Sequence, residues 1–453
     1  MTKLLKSLWA RFLFQDRGIL PTRKLLVIFL IFSIGLIVIS NFSGLSWLWL
    51  FIVNGIILGM SLIDLSFSPK RKEITGQRQI PSEMEKGITY TAHMKLSNAS
   101  AYAVNVRLID GVPQSFQAPF PLKGNINRQE SAILSYNIVA PVRGEYEVNK
   151  MYIRYQSVFG LWEKQMAIEL ENMVKVIPDL TETKQYLKHA QRFLLYEGAK
   201  IRKQRDRTGE FTQIRNYVVG DDPRKINWRQ TAKLQTLMAN EYEPEHGKYI
   251  TILIDCGRMM GAELRNGNRL EKSLEAALTT ATAALKNGDY VAVLAFSKQV
   301  NVFVPPAKGM NHLQKIVQAI YNVNVDTNES NYPAAFAYVQ NVQKKRSLIL
   351  LFSDVHTFLQ EETILIQLKR LRQQHLFMII AVADETLLTT SKQEPMQVQQ
   401  AMLKSMAQQQ IQTKKREKVK WERQGLLLVE TTEEHLATTA VSRYIDIMNQ
   451  GLL

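Results

Sequence analysis

The sequence predicts an α/β protein made of an N-terminal transmembrane helical hairpin, a β-sandwich and a C-terminal doubly wound domain. Three observations predict this. Two uncharged apolar runs stand near the N-terminus, a middle stretch alternates with a period of two, and the last part alternates strand-length apolar runs with helical ones. At 453 residues the chain is too long for one ordinary core. The shifts in pattern divide it into 1–68, 69–178, 179–246 and 247–453.

The first apolar run is LLVIFLIFSIGLIVIS from Leu25, and the second is LSWLWLFIVNGIILGMSLI from Leu45 to Ile63. Each approaches the ~20 residues a helix needs to cross a bilayer, and the short NFSGLS link allows only a tight turn. Lys3, Lys6, Arg11, Arg17, Arg23 and Lys24 precede the first run, and Lys70, Arg71 and Lys72 follow the second. The positive-inside bias therefore predicts both outer ends, and everything after Ser68, in the cytoplasm. Gly55 and Gly59 form a GxxxG step that could let a helix backbone approach closely, but glycine is common in membrane helices and ordinary packing within the hairpin is expected.

From Arg71 to Pro178 the pattern becomes that of half-buried strands. Ile88, Tyr90, Ala92, Met94 and Leu96 alternate with polar residues, and so do the runs around Val106, Tyr136 and Ile153. Turn-forming residues at Asp110 to Pro113, Pro119 to Gly124 and Pro141 to Gly144 separate them, which predicts an antiparallel sandwich. Nothing in this stretch reads as catalytic, and His93 falls on a polar face.

The formal charge of +16 favours anionic partners, membrane lipid among them. Lys188, Arg192, Lys200, Arg202, Lys203, Arg205 and Arg207 concentrate it. No aromatic interleaving or binding module accompanies them, so nucleic acid is not the expected partner. The densest polar motif follows as GEFTQIRNYVVGDDPRKINWRQTA. Asp221, Asp222 and Pro223 predict a short helix start, and Ile226 and Trp228 are expected to anchor the segment by burial.

From residue 247 the runs KYITILID, DYVAVLAFS, RSLILLFSDV, HLFMIIAVAD and GLLLVETT predict buried strands, with VNVFVPP as an edge strand and helices between. Asp255 and Asp354 end two of these strands, where open parallel sheets bind their ligands. The Gln- and Lys-rich stretch from Ser391 to Gln424 predicts an exposed helical insertion. Cys256, alone in the chain, excludes an intramolecular disulfide and predicts a small buried strand-end residue. No Walker-type loop, His-Glu-x-x-His pair or nucleophile elbow is present, so the chain does not read as an enzyme.

Gly209, Glu210, Phe211, Arg215, Tyr217, Gly220, Asp221, Arg224, Ile226, Trp228 and Ala232 resemble the defining motif of the DUF58 family, and Arg143-Gly144 and Phe159 to Trp162 resemble its sandwich. The resemblance implies a bacterial inner-membrane, multi-pass protein whose bulk lies in the cytoplasm, with a von Willebrand factor A-like C-terminal domain. It also implies a MoxR-type AAA+ ATPase as partner, in assembly or envelope-related processes. Interaction residues would be Glu210, Arg215, Tyr217, Gly220, Asp221, Arg224, Trp228 and Arg229. Trp228 and Asp221 are expected to support folding, and Arg224 and Arg229 to serve capture of the ATPase.

A metal site of the A type uses an Asp-x-Ser-x-Ser strand end, a later threonine and a later aspartate. Here Gly257 and Met259 replace both serines, Thr327 or Ser330 stands near the threonine position, and Arg258 adds positive charge. Only a degenerate pair, Asp255 and Asp354, remains, so no cofactor is expected beyond weak Mg²⁺ binding. The alternative reading is an enzyme that acts on a phosphate-bearing or envelope substrate through Arg215, Asp221, Asp222 and Arg224.

Overall fold

The computed structural model describes residues 18–43, 46, 48–186, 188, 209–244, 247–265, 267–354, 362–423 and 425–453. The chain forms two units, Met1–Ile177 and Pro178–Leu453. The basic cluster from Arg192 to Arg207 lies outside the described residues.

In the first unit a short strand β1 (Ile19–Pro21) leads into helices α1 (Arg23–Ser43) and α2 (Leu48–Phe67). Both helices are long and apolar enough to cross a membrane, and most of their large apolar side chains are exposed. Thr22 opens α1, its hydroxyl accepting from the Leu25 N–H at 3.4 Å. Within the hairpin Ser33 donates to Asn54 Oδ1 at 3.2 Å. Gly55 and Gly59 mediate no close approach: nothing stands within 4 Å of where their Cβ atoms would be.

Strands β2 (Ile74–Gln79), β3 (Glu83–Glu85), β4 (Thr89–Asn98), β5 (Val104–Asp110), β6 (Leu122–Ile126), β7 (Ser131–Val139), β8 (Gly144–Gln156) and β9 (Trp162–Ile177) follow. They form a three-stranded sheet, β2-β4-β7, and a larger one, β1-β9-β8-β5-β6, with β3 parallel to β9. Met94, Leu96 and Ile138 from the small sheet share one core with Leu108, Ile153 and Val176 from the large one. This is what strict alternation produces when each sheet hides one face. The core also holds a buried ion pair that alternation does not reveal. Arg78 on β2 pairs with Asp110 on β5, and the Tyr136 hydroxyl on β7 donates to Asp110 at 2.6 Å. Arg78 further donates to the Val148 carbonyl at 2.6 Å and to the Lys150 carbonyl at 2.9 Å, so one guanidinium ties the two sheets together. Burial, and then the neighbouring Asp110, push the Tyr136 hydroxyl far above its ordinary pKa.

In the second unit, the described residues from 209 onward open with a two-stranded hairpin, β10 (Gly209–Asn216) and β11 (Met238–Pro244), enclosing helix α3 (Trp228–Leu234). A six-stranded sheet follows. Its elements are β12 (Tyr249–Asp255), the two-residue strands β13 (Glu263–Leu264) and β14 (Gly267–Asn268), which pair only with each other, α4 (Arg269–Lys286), β15 (Tyr290–Phe296), β16 (Val300–Ala307), α5 (Met310–Ile320), α6 (Tyr332–Val342), β17 (Ser347–Phe352), α7 (Glu362–Gln374), β18 (Leu376–Val382), α8 (Glu385–Lys392), α9 (Val398–Arg423), β19 (Leu427–Thr431) and α10 (Leu436–Asn449).

The sheet order is β16-β15-β12-β17-β18-β19, parallel except for the antiparallel edge strand β16. Apart from the first residue of β12, β15 and β18, the residues of β12, β15, β17 and β18 are buried, because helices cover both faces. On one face Leu253, Leu351 and Phe377 pack with Tyr332 and Phe336 of α6 and Leu368 of α7. The order runs outward in both directions from β12 and β17, so the strand order reverses where those two neighbours end. Helix α9 is largely exposed, as expected of an insertion, with one correction: Trp421 is 2% exposed and inserts into this same core.

Candidate functional site

The polar motif occupies the β10–β11 hairpin. Glu210 lies on β10 opposite Glu243. Arg215, near the end of the same strand, donates through Nη1 to Asp221 Oδ2 at 2.7 Å and through Nη2 to Oδ1 at 2.8 Å. This two-point geometry is the one a planar guanidinium matches best. Glu241 on β11 lies 3.7 Å from Arg215 Nε. Asp221 also accepts from the Val218 N–H at 3.0 Å, while its own carbonyl accepts from the Tyr217 hydroxyl at 3.0 Å. Between them Gly220 adopts φ +110°, a conformation side-chain-bearing residues rarely take. The Arg215 bonds, with the Val218 amide, hold the Asp221 carboxyl down to about 2.

The next turn is built as the sequence implies. Asp222 accepts from Arg224 N at 3.0 Å and Pro223 opens a single 3₁₀ turn, Pro223–Lys225. Asn227 then caps α3, accepting from Gln230 N at 3.1 Å and donating to Asn240 Oδ1 at 2.9 Å. Ile226 bridges to Ala239 of β11. The expected burial of Trp228 is corrected: it is 69% exposed. The side of this region that faces β11 is filled by Met238 and Ala239, and Trp228 opens a helix only seven residues long. Val218 and Val219 are exposed too, and so are Arg224 and Arg229, neither of which forms an ion pair among the described residues. A rigid polar frame thus presents an aromatic ring, two valines and two guanidinium groups to solvent.

The second grouping lies at the carboxyl ends of β12 and β17. Asp255 is 1% exposed and both of its oxygens are saturated. Oδ1 accepts from Gly257 N at 2.8 Å and from the Ser330 hydroxyl. Oδ2 accepts from Ser353 Oγ at 2.6 Å, with the Tyr332 hydroxyl 3.0 Å away. Burial raises the Asp255 pKa, and these donors oppose the rise. A Cβ at position 257 would stand 2.0 Å from Ser330 Oγ, so glycine there is what lets Ser330 reach the carboxylate. Of the two residues weighed near the threonine position, Ser330 is the one that contacts Asp255. Cys256 is fully buried beside it.

Asp354 forms an ion pair. Its Oδ1 accepts from Arg269 Nη1 at 2.6 Å, and Arg269 Nη2 reaches Asp384 Oδ2 at 3.4 Å. Arg258, expected to supply the positive charge here, instead pairs with Glu329 at the surface. The cation is Arg269, the first residue of α4, and no spacing rule in the sequence points to it. These residues do not fit a divalent ion. A guanidinium already neutralises Asp354, and hydroxyl and amide donors occupy Asp255. Among the described residues no three His, Cys, Asp or Glu side chains cluster as a metal site would require.

Residues 213–424 match a family model described as protein of unknown function DUF58. The match includes Arg215 to Arg229 and begins after Glu210. The chain is 23% identical over 198 residues to the uncharacterized protein YeaD of Bacillus subtilis (strain 168), covering 44% of this chain and 47% of that protein. It therefore spans about half the length of this curated relative. Among solved structures, PapD-like domain 7 of human CEP192 is 12% identical with a TM-score of 0.18, covering 23% of this chain and 85% of that one. WR4, an MSP family member of C. elegans, is 14% identical with a TM-score of 0.16, covering 23% and 95%.

Proposed function

We propose that this chain is a membrane-anchored interaction protein that docks a MoxR-type AAA+ ATPase through the surface around Trp228. In this reading α1 and α2 cross a bacterial inner membrane as a hairpin, both units face the cytoplasm, and the second unit is a von Willebrand factor A-like domain without a working metal site. One observation carries the docking surface: Trp228, 69% exposed, and Val219, 97% exposed, stand beside exposed Arg224 and Arg229 on a frame locked by Arg215 and Asp221. Tryptophan and arginine are the side chains that most often dominate protein interfaces, and a pre-ordered frame lowers the entropy lost on docking. A partner face combining an apolar pocket with carboxylates would complement it.

Binding fits this motif better than catalysis. Asp221 is fully engaged by Arg215 and the Val218 amide and stays ionised, and Asp222 is occupied in capping a turn. Neither is free to move a proton. The test is capture of a purified MoxR-type ATPase by the detergent-solubilised full chain. Arg224→Ala/Arg229→Ala is expected to melt like the parent and to lose capture. Full retention by the folded variant overturns the proposal.

A further inference from the structure

The two ends of the apolar hairpin meet a single loop of the sandwich. Before the first span, Thr22 donates its hydroxyl to the Gly160 carbonyl at 2.7 Å and its N–H to the Leu161 carbonyl at 2.9 Å. After the second, Asp64 directly follows the last apolar residue of the run, Ile63, and is 2% exposed. Its carboxylate accepts from Ser157 Oγ at 2.6 Å, Phe159 N at 3.0 Å and Leu161 N at 3.3 Å. Trp162 Nε1 donates to the Ser61 carbonyl at 2.9 Å, and β1 extends the large sheet by pairing with β9. The junction thus ties both ends of the hairpin to one loop and to the strand β9 that follows it.

That loop carries Phe159, 71% exposed, and Val158, 41% exposed. Phe159 is bonded through its backbone to the residue at which the apolar span stops, so it sits level with that end of the span. Exposed Arg23 and Lys24 start α1 beside this loop, with Lys24 Nζ 3.6 Å from where a Cβ of Gly160 would stand, and exposed Lys70 and Lys72 follow α2. An aromatic and a β-branched side chain ringed by lysine and arginine at the end of a span is the composition that settles at the boundary of headgroups and acyl chains. Lysines and arginines there favour anionic phospholipid.

We propose that the Val158–Phe159 tip is a third membrane contact. On this assignment it dips ~5–10 Å into the leaflet that faces the sandwich and fixes the sandwich's tilt on the bilayer. The occupant is phospholipid, by continuity with α1 and α2. The inference rests on the hairpin spanning the membrane.

The experiment uses the full chain with Cys256→Ala in nanodiscs containing anionic phospholipid and lipids spin-labelled high on the acyl chain. An environment-sensitive fluorophore is placed by Phe159→Cys, by Leu30→Cys within the first span, and by Val142→Cys. Val142 is as apolar as the tip and precedes β8, whereas the tip follows it, a strand length of roughly 40 Å away. The expected result is blue-shifted emission and strong quenching at Phe159 and at Leu30, with little at Val142. Quenching at Phe159 no greater than at Val142, while Leu30 is quenched, overturns the lipid contact and leaves the span intact. Absence of quenching at Leu30 as well overturns both. A Phe159 label shielded only when another protein is added, without lipid quenching, would make the tip a protein-docking site and also overturn the proposal.

Discussion

Arg269 and Arg215 each hold aspartates, but in opposite surroundings. Arg269 does so with 11% of its side chain exposed where the central sheet reverses, whereas Arg215 keeps 34% of its side chain exposed on a two-stranded hairpin. In the buried grouping both oxygens of Asp255 are occupied by donors and a guanidinium neutralises Asp354. The exposed one uses its ion pair only to hold a frame and leaves Trp228, Arg224 and Arg229 outside it. On the proposed reading, the position in the sheet that resembles a ligand site is structural, and the position that resembles an ordinary solvated turn offers the binding surface.

The comparison breaks first at Arg269. Arg269→Met should leave Asp354 buried without its cation and destabilise the second unit by ~3–5 kcal/mol, the usual cost of removing one member of a buried pair. Chemical denaturation of the full chain measures it. A loss within ~1 kcal/mol, the range of exposed pairs, would mean that the grouping is solvated after all.

Asp255 gives a test by pH. Its folded pKa is raised, so the protonated form is favoured on folding. The associated stability is complete below the ordinary aspartate value of ~3.9 and is lost as pH rises through the raised value. Asp255→Asn should flatten this decline, whatever its constant offset. Melts of parent and variant across the acid-to-neutral range compare the slopes, and parallel profiles would contradict the assignment.

Much of the fold was legible because burial on both faces leaves no freedom of composition. Runs such as YITILID and SLILLF can only be central strands once helices separate them. The half-buried sandwich strands were legible for the opposite reason, since one wet face enforces alternation. The sites were less so. Arg269 meets Asp354 and Asp384 across 85 and 115 residues, a contact set by sheet order and not by spacing. Arg78 and Asp110 sat unnoticed because an arginine in a strand ordinarily marks the wet face. Trp228 was misplaced by its residue type: apolar bulk suggests burial, yet a single hairpin with a seven-residue helix has little core in which to hide it. Trp421 is the opposite case, buried on a helix whose Gln- and Lys-rich sequence reads as exposed all round.

At the exposed frame the effects should be smaller. Asp221→Asn removes an ion pair with roughly a quarter to a third of each side chain in solvent, so the loss should stay within ~1 kcal/mol. Here the folded pKa lies at about 2, below the unfolded value. The contribution is thus present above the ordinary aspartate range and disappears as pH falls through about 2. Acid titrations followed by circular dichroism should show the parent losing more stability over that interval than the variant does. An equal loss in both would remove the pair from the frame.

Trp228→Ala should change stability least and function most. An exposed side chain away from caps and pairs typically contributes within ±0.5 kcal/mol when replaced. As an interface anchor, its truncation should cost binding more than ~1.4 kcal/mol, or tenfold in affinity. The direct measurement is the dissociation constant of the full-length Trp228→Ala chain for a purified MoxR-type ATPase, with a thermal melt on the same sample. The account predicts an unchanged melt and at least that tenfold weakening. An unchanged melt with parental affinity would contradict it.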